Sequence, residues 1–458
     1  MKDKKTFYMS SRFYSRLFLI VLMINGTIAF TEAQTIHALT VQDALELAKK
    51  NNIAVKTART NLQIQEQTNK SITAAALPEV SGTITTTAYL QLPVSIIPKD
   101  AFAPGQPAEP QAVSFTPKYN ATAGVTLKQP LFDGQVFVGL KARTTALDYS
   151  RKEIDLAVEN ISVNVYKVYY QLLVSRTQVQ LLDANIYRAQ KLLSDSRVMN
   201  ENGFAEKLDV DKAQVQLANL QTSRQNTETN ITNGYLSLKY LIGIPAADSL
   251  VLTTVFKEED LVGGIPVELQ YRYEDRYDYQ SLQISGKLGE FDIKRYKAVY
   301  FPTVDLNGAY FKNAYNNTYD FLTTGGNWYS NSYLGIQINV PIFSGFSKDA
   351  NLKKARLNYS LVKDQIQNLK ENIDLEVRQS RNNFLNAITT MNNQKENTRL
   401  AESVYNQTKK KFESGLASNT DVTNAQTDLI QAQTNYINAL YTSIVAKVDY
   451  LKAIGKIK

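Results

Sequence analysis

The chain has 458 residues and a formal charge of +8, with 43% hydrophobic and 21% charged residues. This composition is typical of a folded protein and excludes a disordered chain or a polytopic helical membrane protein. There is no cysteine and only one histidine, which excludes disulfides, thiolate metal sites, cysteine nucleophiles and histidine-based triads. Because no Gly-rich phosphate loop is present either, we expect no cofactor, no metal, no enzymatic activity and no nucleic-acid partner.

The N-terminus, residues 1–33, has the layout of a secretory signal peptide. Basic residues precede the apolar run Leu17–Ile24, and small residues continue to Ala33, after which we expect cleavage. The run is shorter than the about 20 residues that span a bilayer, although a retained N-terminal anchor helix is the alternative. No cysteine is present to carry a lipid. A mature chain that crosses a membrane must therefore do so as strands.

The next segment predicts a helix followed by two strands. A helical pattern covers Asp43–Ala76 and is ended by Pro78. Apolar and polar residues then alternate over Val80–Leu90 and again over 120–128, as in half-buried strands. Residues 91–118, which hold six of the twelve prolines, separate them and are expected to form a loop without periodicity.

A very long helical hairpin follows this strand pair. Asp133–Asn200 spans about 100 Å if it is helical throughout at ~1.5 Å per residue. Its apolar residues recur in steps of three and four or their sums, which is the narrow seam of a coiled coil. The residues of this seam are Ile154, Ile161, Val165, Val168, Leu172, Val179, Leu182, Ile186, Ala189 and Leu193. Gly203 marks the turn, because glycine ends helices cheaply in a left-handed conformation.

The second half of the chain repeats this plan. The sequence ENGFAEKLDV at 201–210 matches ESGLASNTDV at 413–422, and QPLFDG at 129–134 matches VPIFSG at 340–345. An internal duplication explains such ordered matches better than chance. We therefore divide the mature chain into a first repeat, a linker and a second repeat. Their bounds are 34–243, 244–273 and 274–458, with strand pairs within 78–130 and 302–341.

Four strands of about ten residues match the length of tilted strands that cross a bilayer. A soluble β-sandwich would show the same alternation, but the export signal favours a membrane barrel. Four strands cannot close a barrel, and lipid penalises each unpaired edge group by several kcal/mol. At least two or three chains must then share one barrel, and the polar helices below would form a tube of the same symmetry.

The sequence resembles the TolC-type outer-membrane efflux protein family. The resemblance is carried by Leu39–Ala48, by the two Pro-hydrophobic-Phe-x-Gly strand ends, and by the two Gly-x-Ala turns with a following Asp-Val. It implies a mainly α protein with a membrane β-barrel portion, in which a homotrimer shares a 12-stranded barrel in outer-membrane lipid. Long coiled-coil hairpins would form a periplasmic α-barrel. The implied partners are a periplasmic adaptor protein and an inner-membrane pump of the RND or ABC type.

The resemblance also implies which residues contact partners and which narrow the channel. The periplasmic tips that meet the adaptor would be Gly203, Phe204, Ala205, Gly415, Leu416, Ala417 and Ser418. The channel constriction would be lined by Asp209, Asp421 and Asn424. Some members carry an acid in place of Asn424, and some lock the tip with a Tyr and an Arg where Phe412 and Ala417 stand here. The alternative is that Asp209 and Asp421 are ordinary N-terminal helix residues favoured by the helix dipole.

A second class of function explains part of the pattern. A secreted or periplasmic coiled-coil scaffold or adhesin would show the same heptads, but it would have no use for four strands of bilayer length. The sequence therefore favours a passive outer-membrane duct for a tripartite efflux or type I secretion system.

Overall fold

The structure, a computed structural model, describes residues 36–101, 104–105, 107–254, 271–319 and 327–457. The predicted signal peptide and most of the predicted linker lie outside these ranges. The helices are α1 (Val41–Asn51), α2 (Ile53–Ala74), α3 (Gly134–Glu201), α4 (Lys207–Ile242), α5 (Tyr277–Ala298), α6 (Ser347–Glu413) and α7 (Asn419–Ala453). The strands are β1 (Ile36–Leu39), β2 (Glu79–Ala88), β3 (Ser95–Pro98), β4 (Pro110–Val113), β5 (Tyr119–Phe132), β6 (Ser249–Leu252), β7 (Thr303–Asn316) and β8 (Trp328–Asn339).

The expectation of one helix over Asp43–Ala76 is wrong, because the chain breaks at Asn52. The Asn52 side chain accepts a hydrogen bond from the Ala54 N–H at 2.8 Å and so caps the start of α2. Asparagine favours such caps because its side chain competes with the helical backbone for hydrogen bonds. The first helix of the repeat is therefore two helices, α1 and α2.

The expected loop at 91–118 is also more ordered than its composition indicates. Within it β3 and β4 pair as a small antiparallel hairpin, with Ser95 opposite Val113. The Lys99 ammonium and the Glu109 carboxylate lie 2.7 Å apart at the loop end of this hairpin. Four-residue strands are too short for an alternating pattern to be recognised in the sequence.

The four predicted strands form one antiparallel sheet in the order β2-β5-β7-β8. Its register places two kinds of side chain on opposite faces. The apolar face carries Val80, Ile84, Ala121, Ala123, Val125, Leu127, Val304, Leu306, Tyr310, Lys312, Ala314, Leu334, Ile336 and Ile338. The polar face carries Ser81, Thr83, Thr85, Thr87, Asn120, Thr122, Thr126, Lys128, Asp305, Asn307, Asn313, Asn331 and Gln337. This face is mainly apolar, although it also carries Thr86, Ser330 and Ser332, and it therefore suits contact with lipid.

The helices form a single wall below the sheet. At the end near the sheet, α2, α3, α5 and α6 lie side by side, and at the far end the order is α4, α3, α7 and α6. The helices α3 and α6 run the whole length, with 68 and 67 residues, or about 100 Å each. Among the described residues, no helix is both long enough and apolar enough to cross a membrane.

Apolar contacts within each hairpin hold this wall together. In the first hairpin, the predicted seam residues Leu182, Ala189 and Leu193 of α3 are buried against Ala213 and Leu217 of α4. In the second hairpin, Tyr405 of α6 packs against Val422, Ala425 and Leu429 of α7. Burying a leucine side chain contributes roughly 1.5–3 kcal/mol, so these contacts stabilise both hairpins.

Shorter helices meet end to end at two places, which we call the joints. In the first joint, α4 ends at Gly243 against Asn51, and the Asn52 Nδ2 donates to the Leu241 carbonyl at 2.8 Å. In the second joint, α7 ends before Gly455, which lies against Asp275. There the Arg276 Nη1 donates to the Ala453 carbonyl at 3.1 Å.

The two joints occupy equivalent positions in the two repeats. In the register that aligns the glycine turns, Leu241 and Gly243 match Ala453 and Gly455. In the register that aligns Pro78 with Pro302, Asn52 matches Arg276. A neutral amide in one repeat thus makes the same bridging hydrogen bond as a guanidinium in the other.

Candidate functional site

The two predicted tips lie at the end of the hairpins that is remote from the sheet. Gly203 and Gly415 have φ angles of +79° and +74°, a conformation that glycine adopts without strain. The following N–H groups close the same type of turn, with Phe204 donating to the Met199 carbonyl at 2.8 Å and Leu416 to the Lys411 carbonyl at 2.7 Å. Both hairpins therefore reverse direction through the same type of glycine turn.

Each tip presents a large apolar side chain to solvent. Phe204 and Leu416 are both 78% exposed, and they stand at equivalent places after the two glycines. Ala205 and Ala417 next to them are half-buried, and the Ala205 carbonyl accepts from the Asn200 side chain at 2.8 Å. The adaptor contact expected at these residues stays a prediction.

The residues predicted to line a constriction start the returning helices. Ser418 and Asp421 form a capping box, in which the Ser418 N–H and hydroxyl donate to the Asp421 carboxylate at 2.9 and 2.7 Å. These bonds, from the backbone first and the hydroxyl second, hold the pKa of Asp421 below its ordinary value. Asn424, one turn further on, is exposed. Asp421 thus has a visible role in ending the turn, and its place in a constriction stays a prediction.

The first tip starts its returning helix differently. Glu206 occupies the N-cap position and makes no side-chain capping bond. The Asp209 carboxylate lies 4.0 Å from the Lys212 ammonium, one turn along α4. The equivalent Asp residues therefore differ in their contacts, although each lies in the first turn of its helix.

Phe412, which stands where some relatives are expected to carry a lock residue, lies close to another contact between the hairpins. Phe412 packs partly buried against the cluster around Tyr405 and Leu429. The Arg188 guanidinium of α3 lies 5.6 Å from the centre of the Tyr405 ring of α6, a cation–π contact. The contact could not be predicted from the sequence, because the two side chains belong to different repeats and no local pattern connects them.

A second contact between the hairpins consists of buried amides, which we call the amide seam. The Asn185 Nδ2 donates to the Gln433 Oε1 at 2.7 Å, and the Asn419 Nδ2 donates to the Ser196 hydroxyl at 2.9 Å. Gln426 lies between these pairs and donates weakly to the Asn185 carbonyl at 3.4 Å. All five side chains are buried. They lie among apolar contacts between the same two helices, such as that of Leu192 of α3 with Val422 and Leu429 of α7.

One side of the wall holds a long polar groove of about 940 Å³. It runs over α7 and is bordered by α3 and α6. Its polar side chains are Asn164, Gln379, Ser380, Asn383, Asn386, Thr390, Gln394, Asn435, Asn438 and Thr442. The Lys167 ammonium and the Asp449 carboxylate form an ion pair of 2.6 Å on the same side. The groove is thus lined by polar side chains together with small apolar ones, mainly Ala and Val.

No group of three or more acidic, histidine or cysteine side chains among the described residues could hold a metal ion. A membrane sheet with one apolar face, continued by a long helical wall with a polar groove, defines a class of envelope protein that conducts solutes. The sequence profile described as "Outer membrane efflux protein" matches residues 44–244 and 287–456. The chain belongs to the outer membrane efflux protein family and is located in the outer membrane.

Individual relatives agree with this assignment over most of the chain. The outer membrane protein TolC of Vibrio cholerae serotype O1 is 22% identical over 336 residues, which cover 73% of this chain and 76% of the relative. The toluene efflux pump outer membrane protein TtgC of Pseudomonas putida is 22% identical over 433 residues, covering 92% and 84%. The proteases secretion protein PrtF of Dickeya chrysanthemi is 20% identical over 342 residues, covering 73% of each.

Solved structures share the fold at still lower identity. The outer membrane protein VceC of Vibrio cholerae superposes with a TM-score of 0.71 at 17% identity, covering 91% of this chain and 96% of that one. The CmeC outer membrane channel of Campylobacter jejuni gives 0.73 at 17% identity, covering 91% and 86%. The prediction of a mainly α fold with a membrane β portion is confirmed.

Proposed function

We propose that this chain is one protomer of a homotrimeric outer-membrane duct that passively conducts solutes in a tripartite efflux or type I secretion system. The observation that carries the proposal is the four-stranded sheet with one apolar face and two free edges. In the described chain β2 pairs only with β5, and β8 only with β7. Such a sheet cannot remain open in lipid, because the edge groups would lose their hydrogen bonds to water.

The two lateral edges of the protomer consist of different helices and strands, and both carry exposed apolar side chains. One edge consists of β2, α2 and α4, and the other of β8 and α6. Exposed apolar side chains on the first edge are Ile53, Ile64, Val215 and Tyr240, and on the second Leu357, Leu361, Leu400 and Val404. Unlike edges that cover each other make a head-to-tail contact, and such contacts close into rings. Three copies would bring twelve strands together, above the about eight at which known barrels start.

The tips are the surface that we assign to the periplasmic adaptor. Gly203, Phe204 and Ala205 in the first tip, and Gly415, Leu416, Ala417 and Ser418 in the second, would contact the adaptor, and Asp209, Asp421 and Asn424 would line the constriction. The inner-membrane pump would be of the RND or ABC type. Relatives named for toluene efflux and for protease secretion support both kinds of system.

The mass of the purified protein in detergent tests the oligomer. We expect three times the mass of the mature chain, together with ion conductance in a planar bilayer. The double variant Leu357→Asp, Leu361→Asp should fall apart into monomers because it places charges in the proposed contact, while the exposed control Glu402→Gln should remain a trimer. A monomeric wild type, or recovery of the protein in the soluble periplasmic fraction, would exclude the duct and favour a coiled-coil scaffold.

The double variant Phe204→Asp, Leu416→Asp tests the tips separately. It should keep the trimer and its conductance but lose cross-linking to the adaptor and lose export in cells. Unchanged cross-linking would remove the tips from the adaptor interface without affecting the duct.

A further inference from the structure

The second joint contains a buried carboxyl group that the duct itself does not need. Glu159 of α3 is 1% exposed, and its Oε1 has no hydrogen-bond partner among the described residues. Leaving a charged group buried without full hydrogen bonding is costly. A glutamate at this place is therefore either protonated or stabilised by its charged neighbours.

Those neighbours come from each element packed around the joint. Arg276 and Asp278 stand at the start of α5, Glu376 belongs to α6, and Lys452 belongs to α7. The Tyr277 hydroxyl also lies within electrostatic range of Glu159, and it is in turn within range of an acid and two lysines that offset it, Asp155 and Lys152 of α3 and Lys49 of α1. The Arg276 guanidinium is already paired, at 2.7 Å to Asp278 and 2.8 Å to Glu376.

The charges around Glu159 determine whether its ionised or its protonated form is favoured. Arg276 and Lys452 contribute two positive charges, and Asp278 and Glu376 contribute two negative ones. An ionised Glu159 adds a third negative charge to a partly buried cluster whose other four charges balance, whereas a protonated Glu159 adds none. The low dielectric of the interior strengthens this imbalance, so the cluster favours uptake of one proton.

We propose that Glu159 is a proton-binding site that tightens the second joint as the pH falls. With the proton bound, the cluster is neutral and α3 packs closely against α5 and α7. When the proton leaves, the excess charge loosens α3 from these helices at the place where the two repeats meet. Burial, opposed by Arg276 and assisted by Asp278, raises the pKa of Glu159 to about 7, so the site titrates near neutral pH.

Among the described residues, the first joint has no equivalent of this proton-binding site. Asn52 makes the bridging bond there without a charge, so neither a counter-ion nor a buried acid is needed. One repeat thus has a neutral joint and the other a proton-sensitive one, and this difference supplies an internal control.

Hydrogen exchange on the full-length protein in detergent tests the proposal, after correction for intrinsic exchange rates. Because opening releases a proton from Glu159, the opening equilibrium in residues 155–163 should rise about tenfold from pH 6 to pH 8. The amides of the first joint, at 52–56, should show no such rise. Glu159→Gln should abolish the pH dependence at the second joint, while Glu402→Gln should keep it.

Infrared difference spectra give an independent readout. The protonated carboxyl band of Glu159 should be present at pH 6, absent at pH 8 and absent at both in Glu159→Gln. Arg276→Asn, which copies the first joint, should move the midpoint of this band to higher pH because it removes the nearest positive charge. A Glu159→Gln protein with wild-type pH dependence of exchange, or a wild type without the band at pH 6, would overturn the proposal.

Discussion

The joints and the tips use the same helix ending in opposite surroundings. All four glycines, at 203, 243, 415 and 455, have positive φ angles. At the joints, an added Cβ would lie 2.8 Å from the backbone of Asn51 or 2.7 Å from the Asp275 carbonyl oxygen, while at the tips it would meet nothing within 4 Å. One local motif thus provides tight packing between helices at one end and an accessible surface at the other.

Alanine substitution at the glycines should cause the largest loss of stability, and it tests directly whether the joints are more tightly packed than the tips. At the tip, Gly203→Ala should cost about 1–2 kcal/mol, the strain of a left-handed alanine. At the joint, Gly243→Ala should cost clearly more, because backbone atoms of Asn51 would have to move. Thermal unfolding of the two variants in the same detergent compares them, and equal losses would show that the joint is not tightly packed.

We expect the amide seam to determine how the two tips are aligned with each other. Asn185→Ala should cost about 1–3 kcal/mol, because it leaves the buried Gln433 oxygen without its donor. The double variant Asn185→Leu, Gln433→Leu should recover most of this stability but lose the defined register, as when a buried polar pair is removed from a coiled coil. Distances between spin labels at 204 and 416 should broaden in the double variant. A narrow, unchanged distribution would show that the joints alone set the tip positions.

The two tips should respond differently to loss of their N-cap residues. Ser418→Ala should cost about 1 kcal/mol, because it removes a capping hydroxyl. Glu206→Ala should cost almost nothing, because Glu206 makes no side-chain capping bond. Thermal unfolding reports both changes, and a similar loss in the two variants would mean that the tips are capped alike.

The smallest effect is expected from pH at the second tip. Since hydrogen bonds lower the pKa of Asp421 in the folded protein, its stabilising contribution is complete above its ordinary pKa. That contribution disappears as the pH falls through the lowered value. The advantage of the wild type over Asp421→Asn, followed by hydrogen exchange at 418–423, should therefore shrink in acid. An advantage that is constant with pH would mean that the carboxylate form is not required.

Much of the fold could be predicted because its signals are local or repeated. The ordered sequence matches between the two repeats located both glycine turns, and period-2 alternation located the four long strands. The break at Asn52 was missed because one residue separates two helical patterns that continue in the same register.

The contacts between the hairpins were not predictable in the same way. Asn185 and Gln433 are far apart in the sequence, and each reads there as one polar residue beside an apolar seam. The equivalence of Asn52 and Arg276 was also hidden, because the residue types differ and the register that aligns them differs from that of the glycine turns. Such pairings depend on how the two repeats pack against each other, which single-chain periodicity does not encode.

The register of the sheet has a consequence for how deeply the barrel can sit. Lys312 lies further along β7 than Val304, on the same lipid-facing side. The two are separated by about 27 Å of strand, or roughly 20 Å along the bilayer normal at the usual tilt. A lysine extends its ammonium toward the headgroups, so this distance limits the hydrophobic thickness that the barrel matches. In an average bilayer of about 30 Å, the lipid around the protein would have to thin, which favours the thinner outer membrane.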